Sequence, residues 1–379
     1  MSRDFLLAPI PWLLLALCPP GLSAQAVDRR VLGDCAAYAP RLPEYETFVQ
    51  TTMAEKKIPG LTVGFFKGDC TWVAAFGMAD LENRVPVSVE SAYRYASVQK
   101  SMTAAAVLQL AEQGKLDLDA EVQTYVGYFP RKRWPVTVRQ LLGHLGGLPH
   151  YVDRDREQHI TVHKTTREAI AIFEAFDLIA EPGTKYSYSS YGYNLLGAVL
   201  EAASGLSYGD YMRKAVWQPL GMSSVRLDDP LDLIPNRVRG YQLVNGEVKN
   251  SEFIDVSSRF AAGGTRGSVP DLISFLRGIQ EGRLLSEKTT RLLYTPMVTR
   301  NGEAIPYTAG WQVPPFKNRG TLVTNDGGQQ ETRTFILNAP QRRFGIALAM
   351  NLEADVYGPI VLRLYEVVLG EPLEMIRSQ

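Results

Sequence analysis

Apolar positions change period several times along this chain, and the changes outline its elements. Residues 42–55 carry a helical pattern that ends before Pro59-Gly60. Residues 61–66 and 71–76 then read as two strands joined at Lys67-Gly68-Asp69, a hairpin signal. From 97 to 113 the pattern is helical again and rich in alanine and leucine, with Gly114 as a natural stop. Between about 116 and 255, helical segments alternate with loops marked by proline and glycine; one helix is expected over 194–203, closed by Gly205. Ser268-Val269-Pro270-Asp271 has the form of a capping box opening a helix that runs to about 280. Residues 321–324, 332–337 and 344–350 read as three further strands, and a last helix is expected over 359–369. No internal repeat or low-complexity tract interrupts this order.

Strands therefore sit at both ends and helices in the middle. The economical α/β (α+β) architecture is one antiparallel sheet built from both chain ends and flanked by helices. Its sheet part covers about 27–96 and 256–379, and a helical subdomain of about 97–255 is inserted between the halves. A cleft between the two parts is the default site.

Residues 1–26 are set apart from the fold. Arg3 gives a short basic start, an apolar stretch follows, and Ala24-Gln25-Ala26 matches a small-x-small cleavage pattern. This predicts a signal peptide and a periplasmic or secreted protein. The rival, a retained anchor, meets an apolar run too short to span a bilayer comfortably, and no later segment is long and apolar enough to do so. Of three cysteines, Cys35 and Cys70 remain after cleavage. An oxidising compartment favours a disulfide between them, the alternative being two unrelated thiols. The 40 basic residues equal the 40 acidic ones, so no basic field exists to hold nucleic acid or anionic lipid.

Three chemistries compete for the site. A zinc site would draw on His144, His150, His159 and His163. Only His159 and His163 have i, i+4 spacing, and no glutamate completes a metalloprotease motif, so loop or surface histidines are the simpler reading. Gly205-Leu206-Ser207-Tyr208-Gly209 matches a nucleophile elbow. However, the residues before it are helical and no histidine follows Ser207. Ser97-Val98-Gln99-Lys100 places a serine and a lysine three apart at the start of a strong helix, so both side chains share one face. The helix start offers free N–H groups to an oxyanion, and a desolvated lysine beside a second cation or a hydroxyl is able to serve as base. Nothing in this chemistry calls for a metal or an organic cofactor.

The surrounding residues carry a resemblance. Tyr95-Ala96-Ser97-Val98-Gln99-Lys100-Ser101-Met102-Thr103 resembles the first motif of the serine β-lactamase and penicillin-binding-protein superfamily. Leu141-Leu142-Gly143-His144-Leu145-Gly146-Gly147-Leu148 resembles its Leu-Leu-x-His-x-Ser-Gly-Leu segment. Tyr188-Ser189-Ser190 resembles its Tyr-x-Asn motif, and Ala262-Gly263-Gly264 fits as well. Asn325-Asp326-Gly327-Gly328 stands where the family has Lys-Thr-Gly or His-x-Gly. The order agrees from about 46 to 369, and the class C branch of β-lactamase-like hydrolases is the most similar. The resemblance implies a β-lactamase/transpeptidase-like fold. It also implies that Ser97 attacks a carbonyl, that Lys100 and Tyr188 share the proton transfers, and that the N–H groups of Ser97 and Gly328 hold the oxyanion. Gly327, Ser190 and Asn325 fall at oxyanion and substrate-binding positions.

Three residues depart from the family pattern. Ser190 replaces the asparagine of the second motif, Asn325 replaces the cation or imidazole of the third, and Glu331 stands where glycine is usual, with Arg333 as a potential partner. Two readings follow. One is a serine hydrolase acting through an acyl-enzyme on a small-molecule or peptide substrate: an ester, a D-peptide or another amide, or a β-lactam. The other is a catalytically impaired binding or scaffold protein on the same fold. Tyr186, Tyr191, Tyr193 and Trp311 are candidates for either a cleft wall or the core.

Overall fold

The computed structural model describes residues 27–151, 160–317 and 320–373; the leader, Cys18 and His159 fall outside them. The following seven strands form one antiparallel sheet: β1 (Asp28–Leu32), β2 (Gly60–Lys67), β3 (Cys70–Asp80), β4 (Val85–Pro86), β5 (Val323–Gln329), β6 (Thr332–Ala339) and β7 (Phe344–Met350). Their order is β1-β3-β2-β7-β6-β5, with β4 paired to β3. The β2–β7 pairing, Val63 opposite Leu348, joins the two ends of the chain into one sheet.

Both faces of the central strands are buried, which is why they read as continuous apolar runs. Leu61, Val63 and Phe65 point to one face. There they pack with Trp72 and with the helices α1 (Leu42–Lys56) and α5 (Gly358–Leu369), through Tyr45, Val49, Ile360, Leu364 and Tyr365. Burying each such side chain contributes about 1.5–3 kcal/mol. Phe66, Val73 and Ala75 point the other way, into a second core shared with α2 (Gln99–Glu112), α3 (Ser190–Ser204) and α4 (Val269–Gln280). Gly64 and Gly345 keep that face flat enough for α4. A Cβ at Gly64 would lie 3.0 Å from Ile273, and one at Gly345 would lie 3.2 Å from Leu276. Among the described residues no helix is long and apolar enough to cross a membrane.

Several expected boundaries move. Strand β5 runs to Gln329 instead of stopping at 324, because the glycine-rich residues that resemble a turn pair with β6 in unbroken register. Strand β1 was not expected: it is an exposed edge strand on β3 with no apolar alternation to reveal it. Helix α3 begins at Ser190, and Ser189 caps it by accepting from Gly192 N at 3.0 Å. Ser268 caps α4 as expected, but Asp271 does not close a capping box; its carboxylate accepts from the backbone and hydroxyl of Ser224.

Candidate active site

Helix α2 is buried on nearly every side and runs through the middle of the molecule, with Ala104, Ala105 and Ala106 all buried. Immediately before it, residues Ala96–Val98 form one tighter turn. Ala96 adopts φ +47°, a left-handed conformation that costs a non-glycine residue about 1–2 kcal/mol. A Cβ on Gly263 would come within 3.0 Å of the Ala96 backbone, so close packing holds this bend and presents Ser97. The start of α2 is fastened laterally. Gln99 Nε2 donates to Tyr208 Oη at 2.6 Å, Thr265 Oγ1 donates to Gln99 Oε1 at 2.6 Å, and Thr103 Oγ1 donates to Ala261 O at 2.7 Å.

One turn along from Ser97, Lys100 has no exposed surface. Its Nζ donates to Ser97 Oγ at 3.0 Å and to Ala262 O at 2.7 Å. Burial pushes its pKa down to about 7, helped by the Arg259 guanidinium and opposed by Asp326. Tyr188 lies across the site with Lys100 Nζ 5.2 Å from its ring centre. Burial raises the Tyr188 phenol far above its ordinary range. Neighbouring groups thus diverge: a lysine able to be neutral near pH 7, and a tyrosine that keeps its proton.

Strand β5 forms the opposite wall. Thr324 exchanges both backbone hydrogen bonds with Gln312 on the outer edge of the sheet. The N–H groups of Asp326 and Gly328, in the same alternation, therefore point out of the free edge. Gly327 closes the gap to the nucleophile: a Cβ there would lie 2.5 Å from Tyr95 O and 2.9 Å from Ser97 N. The backbone N–H groups of Ser97 and Gly328 are thus brought to adjacent elements.

Asn325 requires a correction. It is not a substrate-facing group, because it is fully buried beneath Ser97. Its Nδ2 lies 2.9 Å from Ser101 Oγ, 3.1 Å from Gly310 O and 3.3 Å from Ser97 O. Strand alternation turns it under the helix, where it ties β5 to the start of α2. Glu331 is also displaced from the cleft. At φ +78° in the β5–β6 turn, it pairs with Arg266 at 2.5 Å and Arg94 at 3.4 Å, not with Arg333. Asp228 completes this buried set, 2.6 Å from Arg94 and 2.8 Å from Arg266. Burial alone would raise the Asp228 carboxyl, but the two guanidiniums hold it well below the usual range.

Two of the histidines act here as anchors for the tyrosine loop. His144 Nδ1 accepts from Ser189 N at 3.0 Å, and His150 Nδ1 accepts from Ser190 N at 3.2 Å. They fix the backbone of Tyr188-Ser189-Ser190. The His144 ring is buried among Tyr186, Tyr188, Tyr193 and Tyr307, and burial together with Lys100 and His150 holds it neutral, well below its ordinary pKa. His144 does sit in a turn, as the loop reading has it, but it is buried and not on the surface, while His163 is exposed, 3.9 Å from Asp229. The signal that would have revealed both anchors is the motif around His144, read as structural support for Tyr188.

The elbow motif dissolves. Gly205 is the left-handed end of α3 at φ +72°, and Ser207 caps the next helix by accepting from Asp210 N. Trp311, Tyr191 and Tyr193 belong to the core, with Trp311 stacked on Phe275 at 6.1 Å. Ser190 is buried at the first turn of α3. Cys35 and Cys70 form a disulfide that ties the segment after β1 to the start of β3.

Comparison with known proteins agrees with this geometry. A family model described as Beta-lactamase matches residues 46–365. Penicillin-binding protein 4* of Bacillus subtilis (strain 168) is 26% identical over 349 residues, covering 87% of this chain and 76% of that protein. The human mitochondrial serine beta-lactamase-like protein is 31% identical over 299 residues, covering 59% of this chain and 54% of that protein, so the match spans about half of its length. Among solved structures, the octameric penicillin-binding protein homologue from Pyrococcus abyssi superposes with a TM-score of 0.75 at 29% identity, covering 88% of this chain and 78% of that one.

Proposed function

The chain belongs to the β-lactamase family of serine hydrolases, and from that premise we propose that it cleaves esters and short peptide amides through an acyl-enzyme on Ser97. The observation that carries this reading is the contact of Lys100 Nζ with Ser97 Oγ at 3.0 Å, made by a lysine with no exposed surface. Neutral Lys100 takes the Ser97 proton as Oγ attacks the substrate carbonyl. The N–H groups of Ser97 and Gly328 stabilise the oxyanion. Tyr188 gives its phenolic proton to the leaving group and is reprotonated from the Lys100 ammonium; neutral Lys100 then takes a proton from the water that attacks the acyl carbonyl, and that proton returns to Ser97 Oγ as the acid leaves.

The reading favours uncharged or cationic substrates over penicillins, because the buried Asn325 leaves the β5 wall without the cation or imidazole that the family resemblance places there. The Cys35–Cys70 disulfide supports a periplasmic or secreted location. Side-by-side assays with p-nitrophenyl acetate and nitrocefin test the proposal. The ester should turn over clearly and nitrocefin slowly or not at all. Failure to cleave any activated ester would leave a binding role on this fold.

A further inference from the structure

The residue between Asn325 and Gly327 is the one on this wall that faces outward. Asn325 and Gly327 turn toward the nucleophile, so alternation along β5 turns Asp326 to the other face, where it is exposed. Its carboxylate accepts a hydrogen bond from Gln312 Nε2, a neutral donor, at 2.7 Å. Among the described residues it forms no ion pair. Its neighbour Gly327 packs against Ser97 N, which places Asp326 on the strand that walls the nucleophile.

Three cations that border the nucleophile or its strand are less exposed than this carboxylate. Lys100 is fully buried and Arg259 is 4% exposed beneath the Tyr151 ring. Arg333 is half-buried, with Nη1 in the space that a Gly328 side chain would fill. A ligand approaching the free edge of β5 therefore meets a carboxylate. Across the site, the half-exposed ring of Tyr186 and the ring of Tyr188 against Lys100 are surfaces that also attract cations.

We propose that Asp326 selects substrates carrying a protonated amine beside the scissile carbonyl, such as aminoacyl esters and amides with a free amino group, over neutral and anionic ones. This rests on the hydrolase reading above and names its substrate class.

Alanine p-nitroanilide, its N-acetyl form and its N-succinyl form, each in both hands, supply the cationic, neutral and anionic probes. The expected order of kcat/KM is free amine, then N-acetyl, then N-succinyl, with the first ratio about tenfold. The ratio should shrink from low to high salt in the wild type, and should collapse toward one in Asp326→Asn. Reading ratios within one protein cancels any general loss in the variant, and the salt series needs no variant. A ratio unchanged by Asp326→Asn, or a preference for the succinyl form, overturns the inference. Neutral p-nitrophenyl acetate separates the two ideas. Protein that cleaves it without amine preference overturns this inference alone, and protein that leaves it intact overturns the hydrolase reading as well.

Discussion

If Lys100 is the base, the acid limb of the rate profile belongs to its ammonium. A fully buried lysine brought from 10.5 to about 7 has had its charged form penalised by about 5 kcal/mol, at about 1.4 kcal/mol per unit. Burial is the largest cause, followed by Arg259, with Asp326 opposing. The base must be neutral to act, so kcat/KM for a neutral ester should rise with a slope near one below pH 7 and flatten above it. The two charged neighbours should move that limb in opposite directions. Asp326→Asn removes a charge that favours the ammonium and shifts the midpoint to lower pH; Arg259→Gln removes one that disfavours it and shifts the midpoint to higher pH. Each shift should be about half to one unit. Lys100→Arg, charged at every accessible pH, should lose about 10²–10⁴ in kcat/KM. The same shift affects stability: the unfolded chain binds more protons between pH 7 and 10.5, so this group adds stability as pH rises through that window. A stopped-time ester assay from pH 5 to 9 decides the matter. A flat profile, or activity retained in Lys100→Arg, would refute the reasoning.

Other perturbations follow from single contacts. Gly327→Ala should cost about 1–3 kcal/mol and most of the acylation rate, because its Cβ would press on Tyr95 O and Ser97 N, whereas Gly328→Ala should be far milder because the clashing atom is the movable end of Arg333; urea melts and burst kinetics on both variants test the contrast. Asn325→Leu strips the donor from Ser97 O, Ser101 Oγ and Gly310 O and should destabilise by about 1–3 kcal/mol while lowering kcat more than it raises KM, as measured by calorimetry and steady-state rates. Replacing both Cys35 and Cys70 by serine opens a crosslink between residues 35 apart and should cost about 2–4 kcal/mol in a denaturant melt, with the active-site kinetics unchanged.

What was legible in the chain follows from the range of each interaction. Ser97 and Lys100 were readable because their contact is local, one helical turn, and because the helix that carries them is strongly patterned. The sheet was readable where its strands are buried on both faces, and unreadable at β1, where exposure removes the pattern. The role of Asn325 was hidden because its partners lie at 97, 101 and 310, and only the β5 register turns it inward. The same holds for His144 and His150, whose bonds to Ser189 and Ser190 span 45 and 40 residues. Glu331 was matched with Arg333 because the two lie close in the chain. A left-handed turn sends it instead to Arg266, a partner that adjacency along the chain does not suggest.

The central claim is that Ser97 is the nucleophile. Intact-protein mass spectrometry after exposure to a fluorophosphonate tests it most directly. The wild type should gain one phosphonyl group, mapped by peptide sequencing to Ser97, and Ser97→Ala should gain none while melting at the wild-type temperature. Equal labelling of a folded Ser97→Ala variant, or a label mapped to another serine, would contradict the account.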